Sequence, residues 1–576
     1  MKILLLTHAY NCLCQRLHIE LTQMDHDVTI EFDINDDVFI DAVDRFSPEI
    51  IIAPFLKRAI PAQVWQNSLC WIIHPGIVGD RGPSSLDWAI INQEKTWGVT
   101  IIQANEVMDG GDIWASETFA MRNASKSSIY REEVTVASIK ALKRALNNYQ
   151  NKSFRPTSLN ELSTVDSKGL GQWRCLMTQA DRSVNWMQDC SEVIIRKIHS
   201  ADGNPGLLAT LLNQECYLFN ASIDHNLSGE AGTIISTKNN AIAIATIDGA
   251  IWVSHLRLKP INKIDKTLKL PATLALASQL LNVPLNCAGA SGYKEIWHQI
   301  QSLPNGQGEI AYLYFNFHNG AMSTEQCESL LAEYQQLAKS TVSAIILMGG
   351  SDFWSNGIHL NIIEASSSAA DESWRNINAM NDVCKAIIET TDKLTVAAIN
   401  GNIGAGGVFM ALACDLVAAN EDVVLNPHYK SMGNLFGSEY WTYLLPARVG
   451  KENAQSITKN RLPIGAIQAR ELGLLDLTFA KSRFLEEVIN TVKQIIVGQD
   501  FDDYLLTKQA KRLQDESEKS LQCYRDEELT KMELNFYGFD SSYHVARYHF
   551  VYKLEKSRTP SYLAKHKKMG YQNNHE

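Results

Sequence analysis

Along the first quarter of the chain, apolar positions come in short runs separated by stretches of mixed polarity. KILLLT (Lys2 to Thr7), HDVTIEF (His26 to Phe32), EIIIAPF (Glu49 to Phe55) and LCWIIH (Leu69 to His74) are mostly β-branched, so each predicts a buried strand. Stretches such as CQRLHIELTQM lie between them, and the alternation is a βαβ rhythm, which predicts a doubly wound parallel sheet. If LCWII is a central strand, His74 stands beyond its carboxyl end, where open α/β sheets bind ligands.

The pattern then changes twice. NNYQNKSFRP (Asn147 to Pro156) reads as a polar linker closing a first domain over residues 1–155. Over residues 170–265 one helical stretch (Ser191 to Ser200) precedes ECYLFNA, GTIIST, AIAIATIDG and AIWVSHLRL, which predicts a small β-rich, barrel-like domain. Residues 266–307, with TLALASQLLNVP, read as a helical linker. From 308 to 576 strands and helices alternate again (IAYLYFNF, SAIILMGG, LTVAAING) before a helical tail. That tail is basic: Arg547, Lys553, Lys556, Arg558, Lys565, Lys567 and Lys568 outweigh Glu555 and Glu576. A charge run is first of all a solvated face, and only secondly an attraction for a phosphorylated ligand.

Composition narrows the class. With 576 residues and 45% hydrophobic content, several cores are expected, hence two to four α/β and β-rich domains. A net charge of −11 argues against nucleic acid as a partner. The eleven cysteines show no CxxC pair and no histidine cluster, so reduced thiols and no metal site are expected. No apolar run has the length of a signal peptide core or a membrane span, so a soluble, cytoplasmic protein without membrane association is expected.

Three motifs of the first region carry chemistry: PFLKRAIP (Pro54 to Pro61), HPGIVGDRGPSSLDWAI (His74 to Ile90) and GVTIIQANEVMDGGDIWAS (Gly98 to Ser116). Singly they are bland, since a histidine at a strand end is usually a satisfied rim residue and Asp-Gly is a common turn. Their joint order resembles the 10-formyltetrahydrofolate-dependent formyltransferases over roughly the first 265 residues. The resemblance implies that His74 and Asp109 share the chemistry, that the loop of Pro54, Phe55, Leu56 and Lys57 helps cradle the pterin, and that Arg81 and Gly82 line the acceptor channel. Formyl transfer passes through a tetrahedral intermediate with a negative oxygen, which a histidine held protonated by a carboxylate can stabilise. The family's asparagine, two residues before the histidine, falls on Ile72, which donates no hydrogen bond. Losing one oxyanion donor costs roughly 3 kcal/mol of transition-state stabilisation, which speaks against the usual amine acceptor; a thiol acceptor is less demanding, being partly ionised and intrinsically nucleophilic.

The third region offers two glycine loops. INGNIGAGGVFMALACDLVAAN (Ile399 to Asn420) mimics a dinucleotide fingerprint through Gly401, Gly404 and Gly406, with Glu421 or Asp422 about where a ribose-binding acid belongs. A dehydrogenase does not explain SAIILMGGSDFWSNGIHLNII (Ser343 to Ile363), a strand, a Ser-Asn-Gly loop and a helix. Two such elements in this order resemble the crotonase, or enoyl-CoA hydratase/isomerase, superfamily over most of residues 308 to 500. That resemblance implies an oxyanion hole from the N–H groups of Ile358 and Gly406, flanked by Gly357 and Gly407, around a CoA thioester. The two hydratase glutamates fall on Phe409 and Tyr429, so neither position carries a carboxylate and water addition is not expected. Tyr429, with Glu439 and Tyr440 in GSEYWTYLLP, remains as proton-handling machinery or as pocket wall.

Together, the two halves resemble the HoxX-type maturation factors of [NiFe]-hydrogenases over nearly the full length. The resemblance implies an enzyme that moves the formyl group of 10-formyltetrahydrofolate to coenzyme A and decarbonylates formyl-CoA, giving the CO ligand of the active-site iron. Its implied partners are the folate donor, CoA, and a hydrogenase large subunit or iron-cofactor assembly proteins. Two alternatives stay open: a formyltransferase acting on a sugar amine or aminoacyl-tRNA with a degenerate C-terminal domain, and a non-catalytic maturation scaffold.

Overall fold

The β-branched runs become strands where the alternation predicts them. In the computed structural model, which describes residues 1–159, 171–262, 264–281 and 293–569, the chain forms two compact units. One comprises residues 1–293 with 555–576, the other residues 294–554.

In the first unit, β1 (Lys2–Thr7), β2 (Asp27–Phe32), β3 (Ile50–Phe55), β4 (Cys70–His74), β5 (Thr96–Gln103) and β6 (Ile113–Ala120) form one sheet of order β2-β1-β3-β4-β5-β6. β1 to β4 pair in parallel, but β4 pairs antiparallel with β5, and β5 with β6. The expected parallel sheet is therefore mixed. The Asp-Gly-Gly segment closes a hairpin, which permits only antiparallel pairing of β5 with β6, whereas β5 runs opposite to β4 across a connection that contains the Ser85–Ile91 helix. β4 is central, between β3 and β5, and places buried His74 at its carboxyl end.

A second, antiparallel sheet follows. β7 (Leu207–Leu211), β8 (Gln214–Asp224), β9 (Ile234–Lys238), β10 (Ala241–Thr246) and β11 (Gly249–Leu258) run in the order β7-β8-β11-β10-β9, with β12 (Lys269–Pro271) on β11. Their alternating apolar residues share one core with Ile194, Ile195 and Ile198 of the Ser191–Ala201 helix.

The second unit contains two sheets. β13 (Ile296–Ser302), β14 (Glu309–Phe315), β15 (Ala344–Gly349), β17 (Leu394–Ile399), β19 (Leu416–Asn420) and β22 (Leu477–Phe479) make the larger, in that order. β16 (Phe353–Ser355), β18 (Asn402–Gly404), β20 (Val424–Asn426) and β21 (Ile464–Gly465) make the smaller. Each of β15, β17 and β19 is thus followed by a short strand in the other sheet, giving a spiral of repeated units.

Three expectations are corrected here. The 266–307 segment is not a helical linker: among its described residues the α-helical turns are Ala272–Ala275 and Ala277–Leu280, a short 3-10 turn follows at Pro304–Gly306, residues 282–292 lie outside the described residues, and β13 pairs along its whole length with β14. The 308–576 region is not one unit, because residues 555–576 pack with the first. The basic tail is not simply a solvated face. His566 and Lys567 reach buried Glu31 of edge strand β2 at 2.9 and 2.8 Å, Lys556 lies over Phe32, and buried Arg547 pairs with Glu364 at 2.8 Å. An unpaired carboxylate buried on a sheet edge would be costly, and the Lys567 ammonium supplies the partner for Glu31. Among the described residues, no helix is long and apolar enough to cross a membrane.

Two candidate active sites

The first site is built on the end of β4. The His74 imidazole is bracketed by two carboxylates, Asp109 Oδ2 at 3.6 Å from Nδ1 and Asp80 Oδ1 at 3.8 Å from Nε2. Both distances exceed a hydrogen bond, and neither His74 Nε2 nor Asp80 Oδ1 has a hydrogen-bond partner in the protein. Asp109 reaches this place because the β5–β6 connection gives it a left-handed backbone, φ 51°. Its Oδ2 accepts from the N–H of Gly82 at 3.2 Å. Gly82 itself has φ +113°, and a Cβ there would lie 2.1 Å from the Arg174 carbonyl oxygen, so only glycine fits.

The other residues expected here divide clearly. Arg81 is half-buried, and its N–H and C=O bond to Gln172 and Arg174. Pro54 is buried, Phe55 and Leu56 are half-buried, and Lys57 is exposed, so the loop presents a graded apolar-to-charged wall. The Pro54 carbonyl accepts from Tyr130 at 3.3 Å and the Phe55 carbonyl from the His8 N–H at 2.7 Å. Ile72 packs against the apolar cluster of Leu4, Leu6 and Val64, so this position supplies no polar group. Sequence reasoning missed Asp80 and Arg174. Asp80 is buried, and Arg174 Nε holds its other oxygen at 3.1 Å. Asp80 was visible inside VGDRGP, but its partner is 94 positions away, and no local signal links them.

The second site arises from the smaller sheet of the second unit. Ile358 and Gly406 are 48 positions apart. β16 and β18, which precede them, pair in parallel with Ser355 opposite Ile403 and set the two loops side by side. An ideal Cβ on Gly357 would stand 3.2 Å from the Gly406 nitrogen. Gly406 opens the Gly406–Leu412 helix, whose first N–H groups have no partner within the helix. The segment between β17 and that helix is itself a strand, β18, so Gly401 and Gly404 do not form the strand-turn-helix of a dinucleotide fingerprint. Gly407 has a packing reason, since a Cβ there would lie 2.4 Å from the Ser355 carbonyl oxygen.

Facing Gly406 is a buried polar cluster. The Tyr429 hydroxyl donates to Glu439 Oε2 in a short hydrogen bond. Glu439 Oε1 has no protein partner and would lie 2.3 Å from a Cβ on Gly406, so it looks into the space that the missing side chain leaves. Burial pushes the Glu439 carboxyl up to about 8 and the Tyr429 phenol well above its usual value. Tyr440 is buried, its hydroxyl lies towards Arg525, and its ring belongs to the core cluster. Glu528 and Asn381, which hold the Glu439 loop, were not legible in the sequence because each lies on a distant helix among other polar residues.

Comparison with known proteins agrees with this construction. Residues 19–146 match the family described as formyl transferase, 176–269 the formyl transferase C-terminal domain, and 306–543 the enoyl-CoA hydratase/isomerase family. A methionyl-tRNA formyltransferase of Finegoldia magna is 24% identical over 41% of this chain and 76% of its own. The crystal structure of HypX from Aquifex aeolicus in complex with tetrahydrofolic acid superposes with a TM-score of 0.91 at 45% identity, covering 98% of both chains. The hydrogenase maturation factor HoxX of Bradyrhizobium diazoefficiens is 47% identical over 98% of this chain and 97% of its own. With a formyltransferase half, a crotonase half and this likeness along their whole length, the chain belongs to the HoxX/HypX family of hydrogenase maturation factors.

Proposed function

We propose that the chain transfers the formyl group of 10-formyltetrahydrofolate to the thiol of coenzyme A and then releases CO from formyl-CoA. The CO is destined for the iron of a [NiFe] active site, so the expected partner is a hydrogenase large subunit or an iron-cofactor assembly protein. In the first site, His74 between Asp109 and Asp80 is suited to stabilise the oxyanion of transfer and to pass a proton to the departing folate nitrogen. Pro54, Phe55, Leu56 and Lys57 would hold the pterin, with Arg81 and Gly82 on the acceptor side.

The observation that carries the reading is the second site, where Glu439 Oε1 lies unpartnered beside Gly406. A formyl thioester whose oxygen is held by the N–H groups of Ile358 and Gly406, with Gly357 and Gly407 beside it, would present its C–H to that oxygen. The carboxylate takes the proton, the C–S electrons leave with sulfur, and the carbon departs as CO. The proton then returns from Glu439, through Tyr429, to the thiolate, so CoA is regenerated. A carboxylate poised near about 8 is a stronger base than an ordinary one and titrates near the operating range. Hydrolysis is disfavoured because Phe409, not an acid, occupies a hydratase position and stacks on Tyr429.

The test supplies 10-formyltetrahydrofolate and substoichiometric CoA to the protein and traps gas with a reduced haem protein. Many turnovers of CO per CoA are expected. Formate in place of CO would sink the decarbonylation reading and return the amine-acceptor and scaffold alternatives.

A further inference from the structure

We propose that Glu528 is a positioning residue of the second site: it fixes the 438–442 loop so that Glu439 faces Gly406, and its own buried carboxyl is the like-charged neighbour of Glu439. The proposal rests on the reading of Glu439 as the proton-handling group.

Glu528 lies in the Leu521–Tyr537 helix, in the run RDEELTKME. Its acidic neighbours Asp526, Glu527 and Glu533 are exposed, whereas Glu528 is fully buried. Its carboxyl accepts four hydrogen bonds, all from one short segment. Oε2 takes the Ser438 hydroxyl at 3.2 Å and the Tyr440 N–H at 3.0 Å. Oε1 takes the Thr442 N–H at 2.8 Å and the Thr442 hydroxyl at 2.6 Å.

That segment needs holding. Glu439 and Tyr440 are consecutive non-glycine residues with φ 61° and 58°, a conformation that persists only where the surroundings over-determine it. Asn381 Oδ1 supplies the complementary grip, accepting from the Glu439 N–H at 2.7 Å and the Ser438 hydroxyl at 2.9 Å. The pair of left-handed residues turns the Glu439 side chain inward. Its Oε2 then receives Tyr429 and the Ser438 N–H, and Oε1 is left for whatever enters beside Gly406.

The electrostatics follow from the same placement. Among the described residues no lysine or arginine pairs with either carboxyl. Arg525, one turn earlier on the helix, is engaged by Asp382 and Asn378. The other titratable groups facing Glu439 are Tyr429, Cys384 and Cys327, and burial pushes all three well up, so they stay neutral while Glu439 titrates. Glu528, pushed up to about 7 by burial, is the neighbour whose charge changes in the same range. Once Glu528 is ionised, Glu439 holds its proton longer.

The test uses the full chain and infrared difference spectroscopy of the carboxyl C=O stretch, with Glu439→Gln identifying the Glu439 band. Glu528→Gln keeps the volume and one acceptor oxygen but carries no charge. The Glu439 band is expected to titrate lower by about one pH unit, and the pH of half-maximal CO release from formyl-CoA to move with it. Should that variant not fold, Thr442→Val removes one donor that favours ionised Glu528. Glu528 then stays neutral over a wider range, and the Glu439 band again shifts down, by less. A Glu439 band that titrates at the wild-type pH in the folded variant overturns the proposal. A shifted band in a protein inert toward formyl-CoA supports the role of Glu528 while overturning the decarbonylation reading.

Discussion

Phe409 and Tyr429 stack with ring centroids 5.3 Å apart and planes 22° apart. On the resemblance to the hydratases these are the positions expected of their two glutamates; here both carry aromatic rings. The carboxylate returns from a different place, on Glu439, hydrogen-bonded by the second of the two rings. The other oxygen of that carboxyl is without a protein partner and lies beside Gly406.

In the first site, His74→Ala or Asp109→Asn should lower consumption of 10-formyltetrahydrofolate by about a hundredfold to ten-thousandfold while the circular dichroism spectrum is unchanged. Each variant removes one of two side chains that lie 3.6 Å apart at the end of β4. Wild-type turnover by both would remove the formyltransferase assignment.

CoA should bind the second unit with micromolar or better affinity, and NAD should not compete. The paired loops at Ile358 and Gly406 suit a thioester carbonyl, whereas Gly401 and Gly404 lie in and beside a strand. Calorimetry with each ligand decides; heat with NAD and none with CoA would reverse the assignment.

Tyr429→Phe should slow CO release more than formyl transfer, because it removes the hydroxyl that shares a proton with Glu439 and leaves the first site untouched. Single-turnover assays that quantify formyl-CoA and CO separately would show formyl-CoA accumulating. Equal slowing of both steps contradicts a role confined to CO release.

The pH dependence has a definite sign. Glu439 must be ionised to accept a proton, so CO release should rise with pH through about 8 and fall on the acid side. Stability should run the opposite way. The folded carboxyl holds its proton to higher pH than the unfolded one, so stability is complete below the ordinary carboxylate range and declines as pH rises towards about 8. Glu439→Gln should flatten that decline in chemical denaturation series; an unchanged slope argues against a buried neutral acid.

Gly407→Ala should destabilise the second unit by about 1–3 kcal/mol, because its Cβ would meet the Ser355 carbonyl at 2.4 Å. A variant of wild-type stability that nevertheless loses CoA affinity would move Gly407 from packing to ligand contact.

Local pattern alone determined the strands β1 to β4, the position of His74 at a strand end, and the glycines of the two loops that meet at Gly357 and Gly406. Strand periodicity, β-branching and the need of tight turns for glycine are properties of neighbouring residues, so one chain segment suffices to display them. It determined the departures from the expected polar residues too, since the side chains of Ile72 and Phe409 cannot donate or accept a hydrogen bond in any fold. What only the tertiary structure decided involves residues far apart in sequence. Asp80 meets His74 in a loop fixed by Arg174, Glu31 gathers residues near the end of the chain, and Glu439 is set beside Gly406 and Tyr429 by a loop that Glu528 holds. A carboxylate reads the same in sequence whether exposed or buried. Burial and the partners brought by long-range pairing set its charge, and those exist only once the sheets have formed.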